Sequence, residues 1–287
     1  MMLVVYNSSS GGADSLQEIK DAMQAAGLEA EYIAISARGM RSKVATAAQK
    51  GTTVVAAGGD GTVSAVAGVI RGTKSSLGVI PAGTLNHFAK ELNIPVDITQ
   101  AVDLLGKGKS TSVDVATVND RTFINNSSIG WYPRSLHARD ELEGKLGKWP
   151  AALYGSLRAA LRPRRYHVEL LVDGQKHTYR TPFVFIGNNA YQRTAIGLGQ
   201  RESLQDGQLA IYVVKAQSAF GVMRMLMHGL FTRRLRTQDF AIYHTSDCVI
   251  RTKHHRQLSV ATDGEVQPLN TPLQYRSEHK ALRVIAP

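Results

Sequence analysis

The stretch Thr52-Thr53-Val54-Val55-Ala56-Ala57-Gly58-Gly59-Asp60-Gly61-Thr62 decides how the chain is read. An apolar run of strand length ends in a glycine-rich turn, and Val63 to Arg71 then carries a helical pattern. A buried strand, a glycine turn and a helix start together make an anion site. N–H groups at a helix N-terminus point outward, and the helix dipole there favours negative charge. Glycine permits the conformations such a turn needs and lets phosphate oxygens approach closely. Asp60 is the exception, because a carboxylate repels phosphate. It becomes useful where it organises Mg2+ or takes a proton from an attacking hydroxyl. Paired glycines also occur at such junctions for steric reasons alone. The full five-residue string between strand and helix favours chemistry on nucleotide phosphates.

Strands and helices alternate on either side of this stretch. Leu3–Tyr6 and Ala30–Ile35 read as strands, as does Leu77–Ile80 beyond the motif. Ser15–Ala26 and Met40–Lys50 read as helices, each stopped by a glycine, and Thr84–Leu92 and Ile98–Gly106 as two more. Such alternation implies a parallel sheet with helices on both faces. Ligands of these sheets lie beyond the strand C-termini. The polar loops after Tyr6, Ala57 and Ile80 all fall on that rim.

After about Val113 the texture changes. Val113–Val118, Thr122–Ile124, Val168–Val172, Phe183–Ile186, Leu209–Val214, Cys248–Thr252, Leu258–Ala261 and Leu282–Ile285 read as strands. Asp173-Gly174 is a hairpin signal. Lys148–Leu161 and Phe220–Phe231 are helix-like. This half is expected to be a largely antiparallel β domain, with a soft boundary near residues 113–125.

The chain has 287 residues, 43% hydrophobic and 20% charged, which describes one large globular domain or two ordinary ones. No apolar run reaches membrane-spanning length, and the N-terminus reads as a strand rather than a signal peptide. The single cysteine, Cys248, excludes an internal disulfide framework and a cysteine zinc site, and suits a reducing cytoplasm. The net charge of +11 calls for an anionic partner: a nucleotide, an acidic membrane surface or nucleic acid. Gly144–Val168 and Gly207–Gln238 contain no acid and gather much of the positive charge. Nucleic acid is the weakest of these readings, since only 7% of residues are aromatic and no motif of that class occurs.

Gly78 to Lys90 reads G-V-I-P-A-G-T-L-N-H-F-A-K. Together with G-G-D-G-T it resembles the diacylglycerol kinase catalytic family, which includes bacterial lipid kinases and sphingosine kinases. Asn7-Ser8-Ser9-Ser10-Gly11 looks like the family's Asn-Pro-x-x-Gly nucleotide loop, with Ser8 in place of proline. Pro81 to Ala89 looks like its P-x-G-T-x-N-D-F-A segment. Val113-Asp114, the Phe123-to-Gly130 segment, Asp206-Gly207 and Asp263-Gly264-Glu265 follow in the family's order. The string G-T-L-N-H-F-A-K marks a subgroup.

The resemblance implies an α/β domain related to phosphofructokinase-like enzymes, residues 1–117. It implies an antiparallel β-sandwich for the lipid substrate, residues 118–287, with the last strand a candidate to return to the first domain. It implies ATP between the two and Mg2+ as the metal. Asn7, Ser8, Ser9, Ser10, Gly11, Gly59, Asp60, Gly61, Thr62 and Thr84 are the expected nucleotide contacts, with Ser36 as a further hydroxyl. Asp60 and Asp114 are expected in the acidic network that organises Mg2+, and Glu265 as general base. Ser203, Asp206 and the backbone oxygen of Gln208 match a structural metal site of bacterial members. The product is then a phosphorylated lipid hydroxyl, diacylglycerol-like or sphingoid. The expected location is cytoplasmic and peripheral to anionic membranes, and a second copy of the chain is kept as a candidate partner. Phe220 to Arg236, apolar with a basic end at Arg233, Arg234 and Arg236, suits an interfacial helix.

Two departures stand out. His87 occupies the place of an aspartate in relatives, and Ala65 that of a glutamate. Neutral imidazole supplies one donor and one acceptor and no negative charge. These losses motivate an alternative, a nonenzymatic lipid- or nucleotide-binding protein of the same fold. A nicotinamide-nucleotide kinase also carries G-G-D-G-T, but its later Asn-Glu pair is absent here.

Overall fold

The computed structural model describes residues 1–7, 12–130, 165–194, 197–215, 220–221, 224 and 237–287. The expected helix at 148–161, Ser8 to Gly11 and the basic end at Arg233, Arg234 and Arg236 lie outside the described residues, as does most of the expected helix at 220–231. The chain forms two compact units: Met1–Val115 with Arg121–Asn125 and Glu278–Pro287, and Ala116–Asp120 with Asn126–Ser277.

The first unit is built on β1 (Met2–Tyr6), β2 (Ala30–Ala34), β3 (Val54–Gly58) and β4 (Ser76–Pro81). They pair in parallel in the order β2-β1-β3-β4. The last strand, β18 (Leu273–Ala286), adds Arg283 and Val284 in parallel beside Ser76 and Leu77. All residues of β3 are buried, as a central parallel strand covered on both faces requires. Helix α1 (Gly12–Ala25) and helix α5 (Ile98–Lys107) cover one face, where Ile19, Met23, Val102 and Leu105 pack on Val4, Val55 and Ile80. Gly78 lies under α5: a Cβ there would come within 2.5 Å of Leu105. Helix α2 (Met40–Gln49) packs beside helix α3 (Asp60–Ile70), the helix that follows the glycine turn.

Helix starts differ from expectation: α1 begins at Gly12 rather than Ser15, and two more differ for a visible local reason. α3 begins at Asp60 rather than Val63, because the Gly59 carbonyl already accepts from the N–H groups of Thr62 and Val63. The helix expected over Thr84–Leu92 shrinks to α4 (His87–Glu91), because Asn86 sits at φ 49 in the left-handed region. Thr84 and Leu85 remain in an exposed turn.

The second unit holds a six-stranded antiparallel sheet. Its order is β14 (Phe240–Thr245), β13 (Leu209–Val214), β10 (Phe183–Asn188), β7 (Asn126–Gly130), β16 (Gln257–Thr262) and β17 (Glu265–Asn270). Its other layer pairs the first residues of β18 with β15 (Asp247–Thr252), then β8 (Tyr166–Val172) and β9 (Gln175–Thr181). Asp173 at φ 49 and Gly174 at φ 76 make the tight turn between β8 and β9. The polar string Q-K-H-T-Y-R-T gives little sign of β9, which alternates between more and less exposed residues against β8. The connecting strand β5 (Lys109–Val118) also pairs with β18 and with β6 (Arg121–Phe123), and β11 (Tyr191–Thr194) pairs antiparallel with β12 (Gly197–Arg201).

The two layers of this sandwich are joined through hydroxyls. Tyr275 of β18 is fully buried, and its hydroxyl lies 3.1 Å from that of Ser127 on β7. Burial pushes the Tyr275 phenol above its ordinary range, so it serves as a neutral hydroxyl. Thr181 donates its hydroxyl to the Val214 carbonyl at 2.7 Å, and Tyr179 bonds Tyr243 through their hydroxyls. The sole cysteine, Cys248, is buried in β15, and burial raises its thiol pKa, so it is a packing residue. Among the described residues no helix is long and apolar enough to cross a membrane. Tyr275→Phe keeps the ring and removes the cross-layer bond. It is expected to lower stability by about 1 kcal/mol, read by urea denaturation.

Candidate functional site

The expected nucleotide loops share one rim of the first unit. Asn7 follows β1 and donates its N–H to the Ala57 carbonyl at 3.1 Å. Ser36 lies in an exposed turn after β2, beside Ile35, whose N–H reaches the Tyr6 carbonyl at 2.8 Å. Register places Tyr6 beside Ala34 and Ala57, and Gly58 beside Pro81. Parallel pairing therefore brings the C-terminal ends of β2, β1, β3 and β4 into line, where ligands of such sheets bind.

The loops after β3 and β4 are knitted together. Ala82 donates its N–H to the Gly58 carbonyl at 3.1 Å. The Asn86 side chain turns back on its own loop: its oxygen accepts from Gly83 N–H at 3.0 Å and its amide donates to the Gly83 carbonyl at 2.8 Å. Gly83 lies against Gly59 so closely that a Cβ on Gly83 would fall 2.4 Å from the Gly59 Cα. A Cβ on Gly58 would fall 2.4 Å from the Thr62 hydroxyl oxygen. These glycines are therefore needed for close approach.

Asp60 closes the pair. Its Oδ2 accepts from His87 N–H at 3.1 Å and its Oδ1 from Phe88 N–H at 3.0 Å. The carboxylate thus caps α4 from 27 residues away in sequence. Asn86, at the position where a capping side chain is expected, gives no side-chain cap bond. Each carboxylate oxygen can accept more than one bond, so half-buried Asp60 retains capacity toward a cation. The N–H groups of Asp60 and Gly61 open α3 ahead of its first backbone bond, which suits phosphate. The loops thus fit a nucleotide phosphate, with Asp60 oxygens and the Thr62 and Thr84 hydroxyls as the local oxygen groups. His87 contributes its backbone N–H while its side chain remains exposed.

Asp114 lies on β5 in the same unit, with its side chain completely buried. Its Oδ1 accepts from Lys280 N–H at 2.7 Å and from His279 Nδ1 at 3.0 Å. A carboxylate only accepts, so the imidazole proton of this pair sits on Nδ1. Lys280 adopts φ 50, a left-handed residue inside β18 that breaks the strand's in-out alternation. Nothing local in the sequence announces this contact: the partners are 165 and 166 residues apart.

The remaining expected residues belong to the second unit. Asp263 at φ 47 and Gly264 at φ 88 form the turn from β16 to β17. The Asp263 carboxylate accepts from Asn126 N–H at 3.1 Å, which fixes the turn against β7. Glu265 is exposed at the first position of β17, opposite Thr262. In the loop before β13, the Ser203 hydroxyl accepts from Gln205 N–H at 3.0 Å and Asp206 is exposed. Asn189 clamps Gln208 from both sides, donating its N–H to the Gln208 carbonyl at 2.8 Å and accepting from Gln208 N–H at 3.3 Å. The set offers one carboxylate, one hydroxyl and one backbone oxygen, all hard donors suited to Mg2+ or Ca2+. Among the described residues no group of three His, Cys, Asp or Glu is gathered for a metal.

The close approach of Gly83 and Gly59 gives a direct test. Gly83→Ala must push the two loops apart and is expected to cost about 1–3 kcal/mol. Urea denaturation should detect it, while Gly174→Ala, which has open space around its Cβ, changes backbone strain alone.

Comparison with known proteins bears on the family and the fold. Residues 1–118 match the diacylglycerol kinase catalytic domain. Residues 143–286 match the YegS C-terminal NAD kinase beta sandwich-like domain. A diacylglycerol kinase of Staphylococcus aureus is 26% identical over 294 residues, 99% of this chain and 91% of that protein. An uncharacterized protein of Synechocystis sp. is 28% identical over 239 residues, 82% of this chain but 54% of that protein. The crystal structure of a diacylglycerol kinase from Bacillus anthracis strain Sterne has a TM-score of 0.75 at 25% identity, covering 100% of this chain and 96% of that one. With a catalytic-domain match over the first unit's loops and a sandwich match over half of its length, the chain belongs to the diacylglycerol kinase-like lipid kinase family.

Proposed function

We propose that this chain transfers the terminal phosphate of ATP to the hydroxyl of a diacylglycerol-like lipid, with sphingoid bases as the next substrate class. The observation that carries the reading is the pair of loops after β3 and β4. They are closed on each other through Asp60 and Gly83, next to the open N-terminus of α3. Phosphoryl transfer demands positioning and charge neutralisation above all. The backbone N–H groups of Gly59, Asp60 and Gly61 would hold phosphate oxygens, with Asn7, Ser36 and Thr84 around them on the rim. Ser8 to Gly11 complete the nucleotide contacts on the strength of the family resemblance. Mg2+, when bound, would neutralise charge on the phosphates, and Asp60 and Asp114 are the carboxylates proposed to organise it. Asp60 is held in one orientation by its two N–H partners, so it costs no reorganisation when nucleotide arrives.

Glu265 is proposed as the base that takes the proton of the acceptor hydroxyl. Its exposure at a strand start leaves it free to meet a substrate. Ser203, Asp206 and Gln208 are proposed as a structural cation site that steadies the loop before β13. We place the protein in the cytoplasm, at the surface of anionic membranes, and Phe220 to Arg236 remains a proposed contact there.

Two measurements test this reading. With labelled ATP and vesicles carrying diacylglycerol or sphingosine, the wild type should label lipid and Asp60→Ala should not. Asp60→Asn removes the charge but keeps an acceptor for one of the two N–H groups. Loss of turnover in this variant with an unchanged unfolding midpoint assigns the effect to charge. Wild-type turnover in both variants would remove Asp60 from the mechanism. Glu265→Gln should lower kcat by about 10²–10⁴-fold with little change in ATP affinity. Unchanged kcat would exclude Glu265 as the base, and lost ATP binding would move it to the nucleotide site.

A further inference from the structure

The second unit carries a charged face that the proposed chemistry does not use. In the layer β18-β15-β8-β9 the side chains alternate. Val168, Leu170 and Val172 of β8 are buried, as are Cys248 and Ile250 of β15 and Tyr275 of β18. Tyr275 and Tyr179 bond across to the other sheet, so this side is the inside of the sandwich. The alternate residues face outward, and register fixes their neighbours. Leu171 sits between Val249 on β15 and Lys176 on β9, Glu169 between Arg251 and Thr178, and His167 beside Arg180. Arg276 of β18 lies opposite Asp247. Lys253, just past β15, donates its N–H to the His167 carbonyl, and His254 stacks edge-on against the His167 ring at 5.9 Å.

Lys176, Arg180, Arg251, Lys253 and Arg276 are all exposed on this face, against Glu169 and Asp247. Glu169 already faces two of the cations, Lys176 and Arg251. An exposed leucine, Leu171, lies among them with half-buried Val249 beside it. We propose that the outward face of β18-β15-β8-β9 is a docking surface for an anionic lipid bilayer. The cations would lie at headgroup level and Leu171 would enter the boundary with the acyl chains. Charge complementarity selects this partner, and each Lys or Arg near such a surface strengthens binding by about fivefold. The outward positions of these strands carry no Phe, Tyr or Trp, the platforms that single-stranded nucleic acid stacks on. The inference rests on the reading that the acceptor is a lipid held in a bilayer.

Sedimentation of the full chain with phosphatidylcholine vesicles, with and without phosphatidylserine, tests it. Wild type should bind only the anionic vesicles, and salt should weaken binding. R180Q/K253Q/R276Q should bind on the order of 100-fold more weakly. L171Q should lose the part of binding that survives salt. Wild type that ignores anionic vesicles, or a triple variant that binds like wild type, would overturn the proposal. So would R233Q/R234Q/R236Q abolishing all salt-sensitive binding by itself. Turnover of a soluble short-chain diacylglycerol separates this outcome from the kinase reading. The triple variant should keep that turnover and lose phosphorylation of vesicle-embedded diacylglycerol. A chain that phosphorylates no lipid, yet whose vesicle binding fails in the triple variant, would overturn the kinase reading and leave the docking face standing.

Discussion

The carboxylate of Asp60 bonds the N–H groups of His87 and Phe88, and the rim of the first unit is organised around those two bonds. Bonds to a charged acceptor contribute about 1.5–3 kcal/mol each where they are shielded from water. Their position matters more than their sum. They join the loop after β3 to the loop after β4 and supply α4 with the cap that its own Asn86 does not give. Asn86 is then free to close the turn at Gly83. The missing side chain of Gly83 lets the two backbones meet at Gly59. One acid, one amide and two glycines thus act as a unit, and the string G-G-D-G-T is understood only together with P-A-G-T-L-N-H.

This account also changes how His87 is read. Set against an aspartate in relatives, it looks like a lost ligand. In the structure its backbone N–H is part of the Asp60 cap and its ring stands in solvent. Position 87 thus has a duty that any side chain but proline can perform, so the imidazole leaves the loop architecture intact.

Much of the first unit was legible in the sequence because parallel strands buried on both faces announce themselves. V-V-A-A needs no partner to be recognised, and the glycines after helices at Gly27 and Gly51 adopt φ 67 and 69, as stop signals should. The shortened α4 was not legible, since a helical pattern over Thr84–Leu92 gives no hint that Asn86 would turn left-handed. Strands β9, β14 and β17 were missed for a different reason. Each contains exposed or half-buried polar residues, and pairing with a neighbour gives them their order. The contacts of Asp114 were beyond local reading altogether, because β5 and the closing strand β18 bring them together. Motif resemblance pointed to Asp114 without showing what holds it.

The strand β18 has a consequence for how the chain is born. Its closing residues belong to the first unit, but they follow the whole of the second in sequence. A ribosome releases β1 to β4 early, yet the strand that lies beside β4 emerges only after residues 126–277 have been made, a delay on the order of ten seconds. Until then the edge of β4 is bare, and the buried Asp114 lacks the Lys280 N–H and the His279 ring. Vectorial synthesis therefore leaves the catalytic-domain half waiting for its far end, and exposes a hydrophobic sheet edge to chaperones in the interval.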